Sequence, residues 1–119
     1  MTKNDLDRLI NRLREFSQER DWLQFHSPKN LSMALSGEVA EIIEHFQWLT
    51  EEQSRNLTPE KIAEVSTELA DTFIYLLRLS DELGIDLFAA AKNKIEINEQ
   101  KYPVDKSKGN AKKYTELGK

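Results

Sequence analysis

Residues 58–84 read TPEKIAEVSTELADTFIYLLRLSDELG, and their pattern decides the fold. Thr58-Pro59 is a helix start. The hydroxyl can accept from a free backbone N–H, and proline is tolerated at the first helical position because its missing N–H has no intrahelical partner there. Ile62, Val65, Leu69, Phe73 and Leu76 then recur at helical spacing and form one stripe. Ala70, Ile74 and Leu77 extend that stripe towards the opposite side. Gly84 supplies a left-handed stop. A peripheral helix in a small monomer keeps one side wet. This one is predicted to have packing partners on two sides, from a second subunit or from a central position in a monomer.

Upstream, Leu6, Leu9, Ile10, Leu13 and Phe16 predict a first helix over 3–21. Ser27-Pro28 interrupts the pattern, and Asn30 is the expected cap of a second helix ending near Leu49. That helix carries Leu31, Leu35, Val39, Ile42, Ile43 and Phe46 on one face. Residues 50–57 read as a loop. Downstream, Asp86 caps a fourth helix that ends before Pro103. No strand or repeat is evident, so the expected fold class is all-α, an oligomeric four-helix bundle.

The 119 residues suit one domain, 1–119. Hydrophobic residues make up 39% and charged residues 32%, a globular balance. No apolar run has the length of a membrane span, and the N-terminus has no apolar signal core. Without cysteine there is neither a disulfide framework nor a thiolate metal site. These features make a cytoplasmic location the expectation. The net charge of -4 argues against binding a nucleic acid polymer. Residues 104–119 form a basic tail, read as solvated or as a flap for a polyanionic ligand.

The chemistry lies in two acidic pairs. Glu38 and Glu41 share a stripe with His45 and Trp48 on the second helix. Glu68 and Asp71 share one with Lys61, Glu64, Tyr75 and Arg78 on the third. Either pair alone is commonly solvated surface charge. Here both border apolar surface, so packing the two helices together brings four carboxylates close. At about 5 Å and an effective dielectric near 20, one like-charge pair costs roughly 3 kcal/mol. A hard cation relieves this, and Mg2+ suits carboxylate oxygens while keeping sites for water and phosphate. Di-iron chemistry is disfavoured because no helical Glu-x-x-His is present, and no P-loop is found.

With these residues in place, the chain resembles the MazG-like all-α nucleoside triphosphate pyrophosphohydrolases, whose pattern is Glu-x-x-Glu, a variable spacer, then Glu-x-x-Asp. Here it reads Glu38-Val39-Ala40-Glu41 and Glu68-Leu69-Ala70-Asp71. The dCTP pyrophosphatase branch is closest, through ERDWLQFHSPKNL (19–31), ALSGEVAE (34–41), FQW (46–48), ELAD (68–71), IYL (74–76), KIEINEQKYP (94–103) and KKYTEL (112–117). The resemblance implies magnesium held by Glu38, Glu41, Glu68 and Asp71, with cleavage between the α- and β-phosphates. Glu38 or Glu41 would handle the attacking water, and sequence does not separate them.

By the same resemblance, Trp22 and Trp48 wall a base pocket, with simple packing as their alternative role. His26 would contact base or sugar, or merely cap its turn. Tyr75 would pack on the sugar, or in the core. Lys94, Asn98, Lys101 and Tyr102 would meet the triphosphate, or form a wet helix face. His45, Glu44 and Arg78 match no family position. The resemblance favours dCTP or a related pyrimidine nucleotide and a homotetramer built from dimers, with a dimer as the smaller option. A non-catalytic nucleotide- or protein-binding module and a structural oligomerisation bundle are the competing readings.

Overall fold

A computed structural model describes residues 1–117; the last two residues of the expected basic tail lie outside the described residues. The elements are α1 (Lys3–Glu19), a 3-10 turn (Leu23–Phe25), α2 (Pro28–Phe46), α3 (Glu51–Ser54), α4 (Pro59–Glu82), α5 (Leu87–Lys101), α6 (Val104–Ser107) and a second 3-10 turn (Tyr114–Glu116). The described residues contain no strand. No described helix is long and apolar enough to cross a membrane. The all-α expectation holds.

Two compact units are present, one over Met1–Ile85 and the other from Asp86 onward. In the first, α4 packs against both α2 and α1. Its innermost apolar side chains are Leu6 of α1, Leu31 of α2, and Val65 and Leu77 of α4. Leu31 and Leu77 are almost wholly enclosed, and truncating either to alanine costs about 2–5 kcal/mol. On the outer stripe of α4, Ile62 and Leu69 are each 53% exposed. In the second unit, α5 begins at the expected cap, Asp86, whose Oδ1 accepts from Ala89 N at 3.0 Å. Lys101 Nζ stands 4.6 Å from the centre of the Tyr114 ring, and Tyr102 meets that ring edge-on.

The local rules explain most boundaries. Thr58 Oγ1 accepts from Lys61 N ahead of Pro59, as expected. Gly84 ends α4 with φ +67°; its N–H donates to Asp81 O, and Ile85 N–H reaches Ser80 O. Three expectations need correction. α2 starts at Pro28 with Ser27 as its cap, whose Oγ accepts from Asn30 N at 3.1 Å. Ser27-Pro28 therefore opens the helix instead of interrupting it, and Asn30 points its amide back to Phe25 O. The 50–57 segment is not all loop, because Thr50 and Gln53 form a capping box that supports one helical turn. α1 closes at Glu19, since Asp21 takes a left-handed φ of 53° and Trp22 N–H bonds back to Ser17 O.

Candidate functional site

Neighbouring turns of α2 and α4 build an acidic group. Glu38, Glu41 and Glu68 each place a carboxylate oxygen so that all three lie within 4.8 Å of one another. Glu38 Oε2 and Glu68 Oε2 are buried without a hydrogen-bond partner. Buried oxygens are rarely left orphaned, and an unmatched carboxylate is the costly case. Burial first, then the Glu41 carboxyl beside it, pushes the Glu38 pKa above its ordinary value; the charges of Asp71 and Glu68 add to this. Glu68 is raised chiefly by the neighbouring Glu41 carboxyl, with burial second. Such a group favours either a shared proton or a cation.

Asp71 stands outside the three-carboxylate group. It is one turn beyond Glu68 on α4, and its charge is felt by both Glu38 and Glu68. The donor set, all hard carboxylate oxygens with two lacking partners, fits a hard divalent cation.

His45, for which sequence supplied no role, sits at the border of this group. Its Nε2 is 3.9 Å from Glu68 Oε1, and its Nδ1 is 3.9 Å from Glu64 Oε2. Lys61 Nζ lies 3.3 Å from Nδ1 and 3.2 Å from Glu64 Oε2. The signal available in sequence was the shared stripe of Lys61, Glu64 and Glu68 facing the His45 stripe of α2.

Beyond the acidic group along α4 lies a cavity of about 210 Å³ lined by Leu13, Phe16, Trp22, His26, Tyr75 and Arg78 among others. Its walls come from α1, α4 and the turn between α1 and α2. The left-handed Asp21 turns the chain so that Trp22 meets Phe16 edge-on, with ring centres 5.6 Å apart. The volume is below the roughly 300–1,000 Å³ of a drug-sized ligand pocket, and suits one heterocycle. From Asp71 to Tyr75 the helix rises only about 6 Å. On α4 the acidic residues Glu68 and Asp71 thus precede the cavity residues Tyr75 and Arg78, with Asp71 about one turn before Tyr75.

Trp48 is not among the lining residues and is 87% exposed. Lys94 and Asn98 lie on the exposed surface of α5, and Lys101 and Tyr102 at its end, all in the second unit. Arg78, which matches no family position, is a buried cavity wall bonded to His26. The sequence clue was its place between Glu68-Asp71 and the acids Asp81 and Glu82.

The sequence pattern of the MazG-like family matches residues 33–117. The chain belongs to the MazG-like family. The matched span contains all four carboxylates of the expected motif. Among curated relatives, dCTP pyrophosphatase 1 of Mus musculus is 47% identical and that of Homo sapiens 43% identical, each over 105 residues. Those alignments cover 87% of this chain but 62% of either relative, so the chain spans less than two thirds of their length. A crystal structure of a pyrophosphatase from Archaeoglobus fulgidus superposes with a TM-score of 0.79 at 43% identity, covering 83% of this MazG-like chain and 93% of that one.

Proposed function

We propose that this MazG-like protein hydrolyses a nucleoside triphosphate between its α- and β-phosphates, releasing a nucleoside monophosphate and pyrophosphate. The observation that carries the reading is the pair of orphaned carboxylate oxygens of Glu38 on α2 and Glu68 on α4, with an aromatic cavity farther along α4. The pyrophosphatase names borne by the relatives support it.

In this reading Glu38, Glu41, Glu68 and Asp71 would hold magnesium. When bound, the ion supplies charge neutralisation at the phosphates and polarisation of a water. Glu38 or Glu41 would orient the attacking water and accept its proton. Trp22 and Tyr75 hold the base and sugar, and His26 contributes a hydrogen bond. For Trp48, Lys94, Asn98, Lys101 and Tyr102 the assignment rests on sequence pattern alone: Trp48 as a base contact, the others as phosphate contacts. The preferred substrate is dCTP or a related or modified pyrimidine nucleotide, in keeping with removal of such nucleotides from the cytoplasmic pool. No nucleic acid polymer or membrane takes part.

The exposed apolar side chains Ile62 and Leu69 of α4 support a homo-oligomer, a dimer or a tetramer of paired dimers. Light scattering during gel filtration tests this, and a monomer at micromolar concentration would refute it. For the activity, a panel of canonical and modified dNTPs with magnesium is assayed for pyrophosphate. Release from a pyrimidine dNTP is expected. Stoichiometric binding without turnover would instead establish a non-catalytic nucleotide-binding module.

A further inference from the structure

The Arg78 guanidinium is 3% exposed and shared among three partners. Its terminal nitrogens donate to Asp81 Oδ2 at 2.9 Å and Glu82 Oε2 at 2.8 Å, and its Nε donates to His26 Nδ1 at 3.3 Å. Arg14 also holds Asp81. Two arginines therefore meet two carboxylates, and the cluster carries no net charge with which to attract phosphate. What it leaves is the contact with His26.

Arginine only donates hydrogen bonds. His26 Nδ1 must therefore present its lone pair, so the single proton of the neutral ring resides on Nε2. Burial, then the Arg78 charge, pushes the His26 pKa below its ordinary value, while Glu82 acts weakly the other way. Nε2–H is then the one ring group free to bond a ligand in the cavity that His26 lines with Trp22 and Tyr75.

We propose that Arg78 is a positioning residue that fixes His26 as a one-sided hydrogen-bond donor, so that the cavity selects ligands with an acceptor edge. A pyrimidine base offers such an edge through its carbonyl oxygen. The ligand half of this inference rests on the base-site reading above; the tautomer half does not.

The test is nitrogen-15 NMR of the imidazoles in the full chain, which has two histidines. His45→Gln assigns them. The wild-type His26 should show the Nε2–H tautomer at neutral pH, and Arg78→Met should populate both tautomers. Arg78→Lys, which keeps a donor, should retain the wild-type form. Deoxycytidine monophosphate should bind about five-fold more weakly to Arg78→Met and to His26→Ala, with no further loss in the double variant. An Nδ1–H or doubly protonated wild-type ring overturns the proposal even if Arg78→Met does not fold. Fully additive binding losses overturn it as well. If the tautomers behave as expected but the nucleotide leaves His26 and Trp22 signals unmoved, the base-site reading fails and the tautomer lock stands.

Discussion

Arg14 of α1 grips Asp81 of α4 across 67 positions of sequence, with Nε donating to Oδ2 at 3.1 Å and a terminal nitrogen donating to Oδ1. The same Oδ2 accepts from Arg78. One carboxylate therefore ties two helices together and satisfies a buried guanidinium.

This makes Asp81 the expected acid-sensitive element. The hydrogen bond from Arg14, with the charges of Arg14 and Arg78, holds its pKa below the ordinary 3.8, against the raising effect of burial. A lowered folded pKa contributes stability that is present above the unfolded value and lost as pH falls through the folded one. Wild type should therefore lose Tm more steeply than Asp81→Asn below about pH 4. At neutral pH the substitution should cost about 2 kcal/mol by denaturant titration, less than a fully broken buried pair because Glu82 still holds Arg78.

The acidic group carries the opposite sign. Glu38 and Glu68 have raised pKa values, so their contribution to the cation-free fold is present below the ordinary value of 4.5 and lost as pH rises through the folded one. Glu38→Gln or Glu68→Gln should raise the Tm of the cation-free protein at neutral pH. Each should also abolish turnover and remove the Tm increase that magnesium gives wild type. Calorimetry with and without chelator checks all three outcomes alongside the pyrophosphate assay.

His45 stands farther from Glu68 than a hydrogen bond, at 3.9 Å. Close supporting contacts to metal ligands commonly change affinity by about 10–100-fold. At this longer distance His45→Gln should raise the magnesium concentration for half-maximal activity by only about three-fold. Titrating activity against free magnesium measures the shift.

Trp22 and Trp48 should separate cleanly. Stacking on an indole contributes about 1–3 kcal/mol per base. Trp22 lines the cavity, so Trp22→Ala should raise KM about ten-fold or more with kcat little altered. In Trp48→Phe protein the remaining indole should still report nucleotide binding by fluorescence.

Much of this was readable from residue types alone. Helix existence followed from the spacing of Leu, Ile and Phe, and the Thr58-Pro59, Gly84 and Asp86 boundaries followed from capping chemistry. Ser27-Pro28 misled because a proline that cannot sit inside a helix is well placed at its first position, behind a serine cap. The two acidic pairs were visible at i, i+3 spacing, but their unequal roles were not. Which oxygens end up buried depends on how α2 seats on α4, and that placed Glu68 in the group and Asp71 beside it. Arg78 was harder still. Its partners Asp81 and Glu82 are local, but His26 is 52 positions away.

The left-handed Asp21 sets a limit on how this chain can vary. At φ 53° a β-branched or bulky side chain strains the backbone by about 1–3 kcal/mol, whereas glycine and asparagine fit. Gln24 adds a preference for aspartate, since its amide donates to Asp21 Oδ2 at 2.9 Å. A deep mutational scan should therefore tolerate few residues at 21 although the position is exposed. Its narrowness would reflect the aim of the neighbouring indole, one residue along, and not any contact that Asp21 makes with a ligand.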